Sequence, residues 1–166
     1  MVTSNTQADA FLKEGFRVQN IVPQTKQSRR RSFELVLSAA ELGSLAGMAW
    51  CAEAYFTGFG VRANARKARK MAVKAANLGN ARAKYLLADM MIRDRKNRDQ
   101  LNAYQFALDA SRAGEDDANF LLAWMLYHGY GVQEDRENAI AKLQSLSETG
   151  DSRAAKYLDI INSNSK

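Results

Sequence analysis

Small and large apolar residues recur along this chain at helical spacing, in blocks that each end in a glycine. The closing glycines are spaced by 36, 35 and 36 residues: Gly43, Gly79, Gly114 and Gly150. A small residue follows each of them by four positions: Gly47, Ala83, Ala118 and Ala154. An alanine follows the first three by nine positions: Ala52, Ala88 and Ala123. Because small residues at fixed helical positions let two helices approach closely, the pattern predicts packed α-helices repeated about every 36 residues.

Each block has the length of a helical hairpin. We expect a first helix to begin about two residues after a closing glycine and a second helix to end at the next one. The closing glycines are typical of left-handed helix caps. The stretches FTGFGV (56–61) and HGYGV (128–132) fall where the first helix must turn into the second. The pattern therefore predicts an all-α chain of repeated helical hairpins.

The two Gly-x-Gly stretches have an alternative interpretation as phosphate-binding loops. Such a loop normally follows a β-strand, and its motif includes a third glycine or a Gly-Lys-Ser/Thr ending. Here a predicted helix precedes each stretch, and neither ending is present. We interpret both stretches as turns.

The repeated elements resemble the Sel1-like repeat, a relative of the tetratricopeptide repeat. The resemblance rests on AAELGSLAGMAWCAEAYFTGFGVRANARKARKMAVKAANLG and its later copy ASRAGEDDANFLLAWMLYHGYGVQEDRENAIAKLQSLSETG. It implies an α/α superhelical solenoid of about three helical hairpins plus a half-repeat at each end, typical of bacterial proteins that bind other proteins without catalysis. The middle copy departs from the pattern, because RDRKNRD (93–99) stands where the others have Gly-x-Gly.

The repeat pattern does not include the beginning of the chain. We expect residues 1–27 to form an N-terminal arm or partial cap, with a short helix near Asp9 to Phe16 whose Ala10, Phe11 and Phe16 cover the open end of the repeats. Residues 28–166 would form the repeat region.

Composition supports one helical domain in a reducing compartment. The chain has 166 residues, 46% of them apolar, with a single proline. Cys51 is the only cysteine, and the start of the chain lacks the basic and apolar regions of a signal peptide. The longest apolar run is far shorter than a membrane span. We expect a cytoplasmic protein without a membrane anchor.

Candidate catalytic groups are few. His128 is the only histidine, so a histidine-paired nucleophile or a histidine-rich metal site has nothing further to use, and we interpret His128 as an exposed turn residue. Cys51 aligns with Leu87 and Leu122 and is interpreted as a core residue. Carboxylates such as Glu115 and Glu134 open helices, where the helix dipole favours them. We expect no enzyme activity, no cofactor, no metal and no small-molecule substrate.

Charge is distributed unevenly along the chain. The net charge of +6 comprises +11 through Arg98 (18 basic and 7 acidic residues) and −5 thereafter (6 basic and 11 acidic residues). Cations are predicted along one edge, where second helices begin: Arg29, Arg30, Arg31, Arg66, Lys67, Arg93, Arg95, Lys96 and Arg98. A four-residue spacing of Arg62, Arg66, Lys70 and Lys74 extends this charge along a helix. Since cations at helix N-termini are mildly destabilising, we interpret the edge as a binding surface; a solvated helix face is the alternative for the stripe.

Aromatic residues on the first helices supply a second candidate surface. Trp50, Tyr85 and Trp124 are candidate partner anchors, since tryptophan and tyrosine dominate interface energetics. Most aromatic residues of these helices, including Phe120 and Tyr127, would instead pack between hairpins.

These features predict a non-enzymatic adaptor or regulator that binds an acidic segment or surface of another protein through its concave groove and its basic edge. One alternative is a nucleic-acid-binding regulator that uses the same edge, although the aromatic interleaving typical of single-strand binding is missing. Another is an immunity-type inhibitor that occludes a toxin.

Overall fold

A computed structural model describes residues 4–20, 25–94 and 99–164. This part of the chain contains nine α-helices and no β-strand: α1 Ser4–Gln19, α2 Lys26–Glu41, α3 Leu45–Thr57, α4 Ala65–Asn77, α5 Ala81–Arg93, α6 Gln100–Arg112, α7 Asp116–His128, α8 Arg136–Glu148 and α9 Ser152–Asn164. The predicted all-α repeat fold is confirmed. None of these helices is long and apolar enough to cross a membrane.

In each repeat, the second helix ends at a closing glycine, as the spacing predicts. All four adopt left-handed backbone angles, with φ between 86° and 98°. The amide after each glycine donates to the carbonyl five residues earlier, as Ser44 N does to Ala39 O at 3.0 Å. The next first helix begins two residues after each glycine. The repeat boundaries are therefore set by backbone geometry that glycine adopts without strain.

Several helices begin with a short polar side chain that caps them. Ser44 accepts from the Gly47 amide at 3.1 Å, and Asn80 accepts from the Ala83 amide at 2.9 Å. Asp135 accepts in the same way from the Asn138 amide at the start of α8. Such caps satisfy amides that have no partner within the helix. A structural role thus accounts for this carboxylate.

The small residues of the repeat are buried at the positions that the pattern predicts. Six alanines have no exposed surface: Ala52, Ala83, Ala88, Ala118, Ala123 and Ala154. They lie where neighbouring helices pack, so a larger side chain there would push the helices apart. The chain divides into two compact units, the N-terminal unit Met1–Leu87 and the C-terminal unit Ala88–Lys166. In the N-terminal unit α2 packs between α1 and α3, and in the C-terminal unit α7 and α8 pack with α6 and α9.

Helix α1 is longer than the predicted helix near Asp9 to Phe16, and it packs against α2. Ala8, Gly15 and Val18 are buried, whereas Ala10 is exposed, so its predicted covering role is wrong. The Ser32 hydroxyl, fully buried on α2, donates to the Gly15 carbonyl at 2.9 Å. The proposed boundary near residue 27 stays a prediction.

Candidate interaction surfaces

The two Gly-x-Gly turns lie directly on the preceding second helix of the repeat. A side chain at Gly60 would collide with the Arg29 carbonyl and meet the Phe33 Cβ at 3.1 Å. A side chain at Gly131 would collide in the same way with the Gln100 carbonyl. Both glycines have left-handed backbone angles as well. Glycine is required because the turn must approach a helix backbone, which explains the motif without an anion.

The first turn lines a depression of about 410 Å³ that cations surround. Its lining consists of Lys26, Arg29, Arg30, Gly58, Gly60, Val61 and Arg62, which we call the basic depression. Arg29 and Arg30 come from α2, and Arg62 comes from the segment between α3 and α4. The structure therefore brings together three of the predicted cations, Arg29, Arg30 and Arg62.

Most charge in the basic depression is not neutralised by a carboxylate. Arg30 donates from Nε to Glu34 Oε1 at 2.9 Å, in a pair exposed on both sides. Among the described residues, no carboxylate lies within ion-pair distance of Lys26, Arg29 or Arg62. Like charges gathered without counter-charges favour an anionic partner.

The structure separates other predicted cations from this depression. Arg31 lines a different depression beside Glu14 and Arg17, where the ion pair of those two residues, at 2.7 Å, lowers the pKa of Glu14. Arg62 precedes α4, so it does not belong to the predicted helical stripe.

The remaining predicted cations of the N-terminal unit are exposed on α4: Arg66, Lys67, Lys70 and Lys74. Lys67 Nζ lies 5.3 Å from the centre of the Tyr55 ring. None of them lines the basic depression.

Little of the cationic middle turn is described. Arg93 ends α5 in the C-terminal unit, and its Nε lies 2.8 Å from Asp89 Oδ1. Arg95, Lys96 and Arg98 lie outside the described residues. The structure therefore shows one cation of this group, and that cation is paired.

A second depression of about 440 Å³ lies beside Trp50 in the N-terminal unit. Trp50, half-buried on α3, donates from its indole nitrogen to Gln19 Oε1 at 3.1 Å, and its ring lies 5.6 Å from that of Phe59. Glu53 also lines this Trp50 depression and is paired at 3.0 Å with Arg82, whose guanidinium lies 5.0 Å from the Tyr85 ring. Tyr85 is half-buried as well. Trp50 therefore lies in a surface depression, as an anchor residue would.

In the C-terminal unit, aromatic side chains form a continuous cluster on α7, α9 and the turn between α7 and α8. This aromatic cluster consists of Phe120, Trp124, Tyr127, His128, Tyr130 and Tyr157. Trp124 is half-buried, with its ring 4.5 Å from that of His128 and 6.0 Å from that of Tyr130. Sequence reasoning missed Tyr130 and Tyr157; aligning the two units at an offset of 71 residues would have paired Tyr130 with Phe59.

His128 is not a simple turn residue. It is the last residue of α7, exposed on one side, and its Nε2 lies 2.5 Å from the Tyr157 hydroxyl. Partial burial, together with the charge of Arg136, lowers the pKa of His128, while Glu134 acts in the opposite direction. This contact joins residues that are 29 positions apart and lie on two different helices, so the sequence pattern could not reveal it.

Two kinds of reactive group can be assessed in the described residues, the Cys51 thiol and clusters of metal-binding side chains. Burial raises the pKa of the Cys51 thiol to about 12, which leaves it protonated and unreactive at neutral pH. No group of histidine, cysteine and carboxylate side chains within residues 4–20, 25–94 and 99–164 is suited to hold a metal ion.

Comparison with known proteins identifies the repeat. The family model described as Sel1 repeat matches residues 22–44, 45–80 and 116–141, together more than half of the chain. Between the matched parts, the unmatched residues 81–115 contain the copy without Gly-x-Gly, although α5 and α6 are formed there. No curated protein sequence matches the chain significantly.

Solved structures of several bacterial proteins have a similar fold. A protective antigen of uropathogenic Escherichia coli with an SLR fold is 26% identical, with a TM-score of 0.68, over 89% of this chain and 32% of the antigen. A Sel1 repeat protein from Oxalobacter formigenes is 23% identical, with a TM-score of 0.66, over 93% of this chain and 44% of that protein. An immunity protein from Pseudomonas aeruginosa is 23% identical, with a TM-score of 0.60, over 89% of this chain and 55% of the immunity protein. This chain thus spans less than two thirds of the length of each.

Proposed function

The chain belongs to the Sel1 repeat family, and we propose that it binds an acidic segment or surface of another protein through the basic depression, without catalysis. Sel1 repeat proteins generally mediate protein–protein interaction. The observation that carries the proposal is the convergence of Lys26, Arg29 and Arg62 around one depression without a carboxylate partner among the described residues. Arginine suits this role because its planar guanidinium binds carboxylates with two parallel hydrogen bonds.

Comparison with the C-terminal unit supports the basic depression as the binding surface, because the equivalent turn there lacks these charges. At the offset of 71 residues, Arg29 corresponds to Gln100, Arg30 to Leu101 and Arg62 to Gln133. Since the second turn is built without the cations, the repeat does not need them for folding. Their presence in the first turn is best explained by a partner.

The partner's role in the cell is a narrower part of the proposal. The similar Pseudomonas aeruginosa structure is an immunity protein. An immunity-type function, in which this chain occludes an acidic surface of a toxin, fits the basic depression.

The proposal can be tested by capturing the partner on the immobilised full chain from a nuclease-treated lysate of the organism that encodes it. The captured protein is identified by mass spectrometry, purified and titrated by calorimetry. The variant R29Q/R30L/R62Q carries the residues that the C-terminal unit has at the same positions. We expect it to bind the captured protein about tenfold more weakly or worse, with binding that loses most of its salt dependence.

A matched control removes the same number of charges elsewhere in the N-terminal unit. The variant R66Q/K70Q/K74Q changes exposed cations of α4 and should keep nearly wild-type affinity. Equal losses in both variants would point to net charge rather than to the basic depression. Capture from an untreated lysate but not from the nuclease-treated one, with strongly salt-dependent binding of generic duplex DNA, would favour the nucleic-acid alternative.

A further inference from the structure

The basic depression and the Trp50 depression lie on either side of one turn. Thr57 and Phe59 line the Trp50 depression, whereas Gly58 and Gly60 line the basic depression. Alternate residues of FTGFGV therefore face two different surfaces. A partner segment that crosses this turn can occupy both depressions.

The C-terminal unit carries rings at two positions that border the Trp50 depression. Glu53 corresponds to Trp124, and Thr57 corresponds to His128 at the offset of 71 residues. The Trp124 ring lies 6.0 Å from Tyr130, the counterpart of Phe59, and 4.5 Å from His128. The N-terminal unit has no ring at either position, and the depression lies against both. The repeat thus shows that aromatic groups pack well beside this turn.

We infer that the partner's acidic segment also carries an aromatic side chain, which inserts into the Trp50 depression while the neighbouring carboxylates occupy the basic depression. This inference rests on the proposed function, since it concerns the same partner. The rings of Trp50 and Phe59, 5.6 Å apart and nearly perpendicular, form the apolar wall. A partner ring packed there would gain the offset or edge-to-face contacts that aromatic pairs prefer.

Polar groups in the Trp50 depression are already paired, so an apolar guest displaces no strong interaction. Glu53 is neutralised by Arg82, with N–O distances of 3.0 Å and 3.1 Å. The indole N–H of Trp50 is bonded to Gln19. The Thr57 hydroxyl donates to the Glu53 carbonyl at 2.9 Å. An aromatic side chain therefore fits this surface better than a charged side chain does.

The test uses short fluorescein-labelled peptides and fluorescence anisotropy with the full chain at low salt. One peptide has a tryptophan next to a run of glutamates, and its partner peptide has alanine in place of the tryptophan. We expect the tryptophan peptide to bind about tenfold more tightly. Equal affinities, or no binding of the tryptophan peptide, would overturn the inference.

A variant whose own aromatic side chains fill the Trp50 depression tests whether the peptide's tryptophan binds there. E53W/T57H/N80D introduces the residues of the C-terminal unit, and its N80D change supplies Arg82 with a carboxylate like the one that Asp151 offers Arg153 there at 2.7 Å. We expect this variant to bind the alanine peptide as the wild type does and to lose the preference for tryptophan. If the variant still prefers the tryptophan peptide, the tryptophan ring binds outside the Trp50 depression and the inference is wrong. The milder variant Phe59→Leu should reduce the preference several-fold, and it provides the same test if the filled variant is unstable.

The charge variant separates the two proposals. R29Q/R30L/R62Q should weaken binding of both peptides and keep their ratio. If it weakens neither, or if the wild type binds neither peptide, the proposed function fails together with the inference. If it weakens both while tryptophan and alanine peptides bind equally, only the aromatic inference fails.

Discussion

The two Gly-x-Gly turns share one backbone and differ in chemistry. Gly60 and Gly131 each lie against the carbonyl of a helix residue, Arg29 in the N-terminal unit and Gln100 in the C-terminal unit. Cations surround the first turn, whereas Leu101, 71% exposed, and Gln133 take the places of Arg30 and Arg62 at the second. The glycines are therefore needed for folding, whereas the side chains around them determine what each turn can bind.

The charges of the two units follow the same division. The N-terminal unit has 14 basic and 5 acidic residues, a net charge of +9, and the C-terminal unit has 10 basic and 13 acidic residues, a net charge of −3. An aromatic cluster in the C-terminal unit lies where the N-terminal unit has the Trp50 depression. One repeat pattern thus supports two different surfaces.

The largest expected effect concerns the shared backbone. Gly60→Ala and Gly131→Ala should each lower the free energy of unfolding by about 3 kcal/mol or more, because the added Cβ collides with a helix carbonyl in a left-handed backbone conformation. Urea unfolding followed by circular dichroism measures this loss. Gly43→Ala is the control, since Gly43 also has a positive φ but open space around an added Cβ, and it should cost only about 1–2 kcal/mol. Equal losses at Gly43 and Gly60 would show that the close approach is unimportant.

The fold was predictable because its signals are local. Closing glycines, the two-residue interval before each first helix and the buried alanines all follow from repeat spacing, which backbone geometry and close helix packing impose directly. Side-chain direction was not predictable in the same way. Arg29 and Arg31 are two positions apart on one helix and line different depressions, and the ion pair of Arg93 with Asp89 depends on rotamers that the repeat pattern does not specify. The contact between His128 and Tyr157 joins separate helices and left no local signal.

A second effect tests whether the two cores are equivalent. Ala52→Leu and Ala123→Leu occupy the same repeat position, and both alanines have no exposed surface. Each should cost roughly 1–3 kcal/mol by overpacking the helices. The measurement is again urea unfolding. Full stability in either variant would show that the register linking the two units is wrong.

The smallest expected effect is the pH dependence of stability that His128 contributes in the C-terminal unit. The lowered pKa of His128 means that the folded chain binds its proton less readily than the unfolded chain does. The stability that neutral His128 contributes to the folded chain is therefore complete above the ordinary histidine pKa and is lost as the pH falls through the lowered pKa. Unfolding free energies of the wild type and His128→Asn, measured between about pH 8 and pH 5, isolate this contribution because other groups titrate alike in both. The wild type should lose more stability on acidification than His128→Asn; a smaller loss would contradict the assigned direction.

The most direct test of the central claim moves the charges from one turn to the other. The 166-residue chain is made with R29Q/R30L/R62Q alone and with Q100R/L101R/Q133R added. Binding of the acidic partner segment, represented by a fluorescein-labelled glutamate peptide, is followed by anisotropy at low and physiological salt. We expect the first set of changes to remove most of the salt-dependent binding and the added second set to restore much of it, because the two turns share one backbone. Unchanged binding after the first set would contradict the claim that the cations around the first turn form the binding surface.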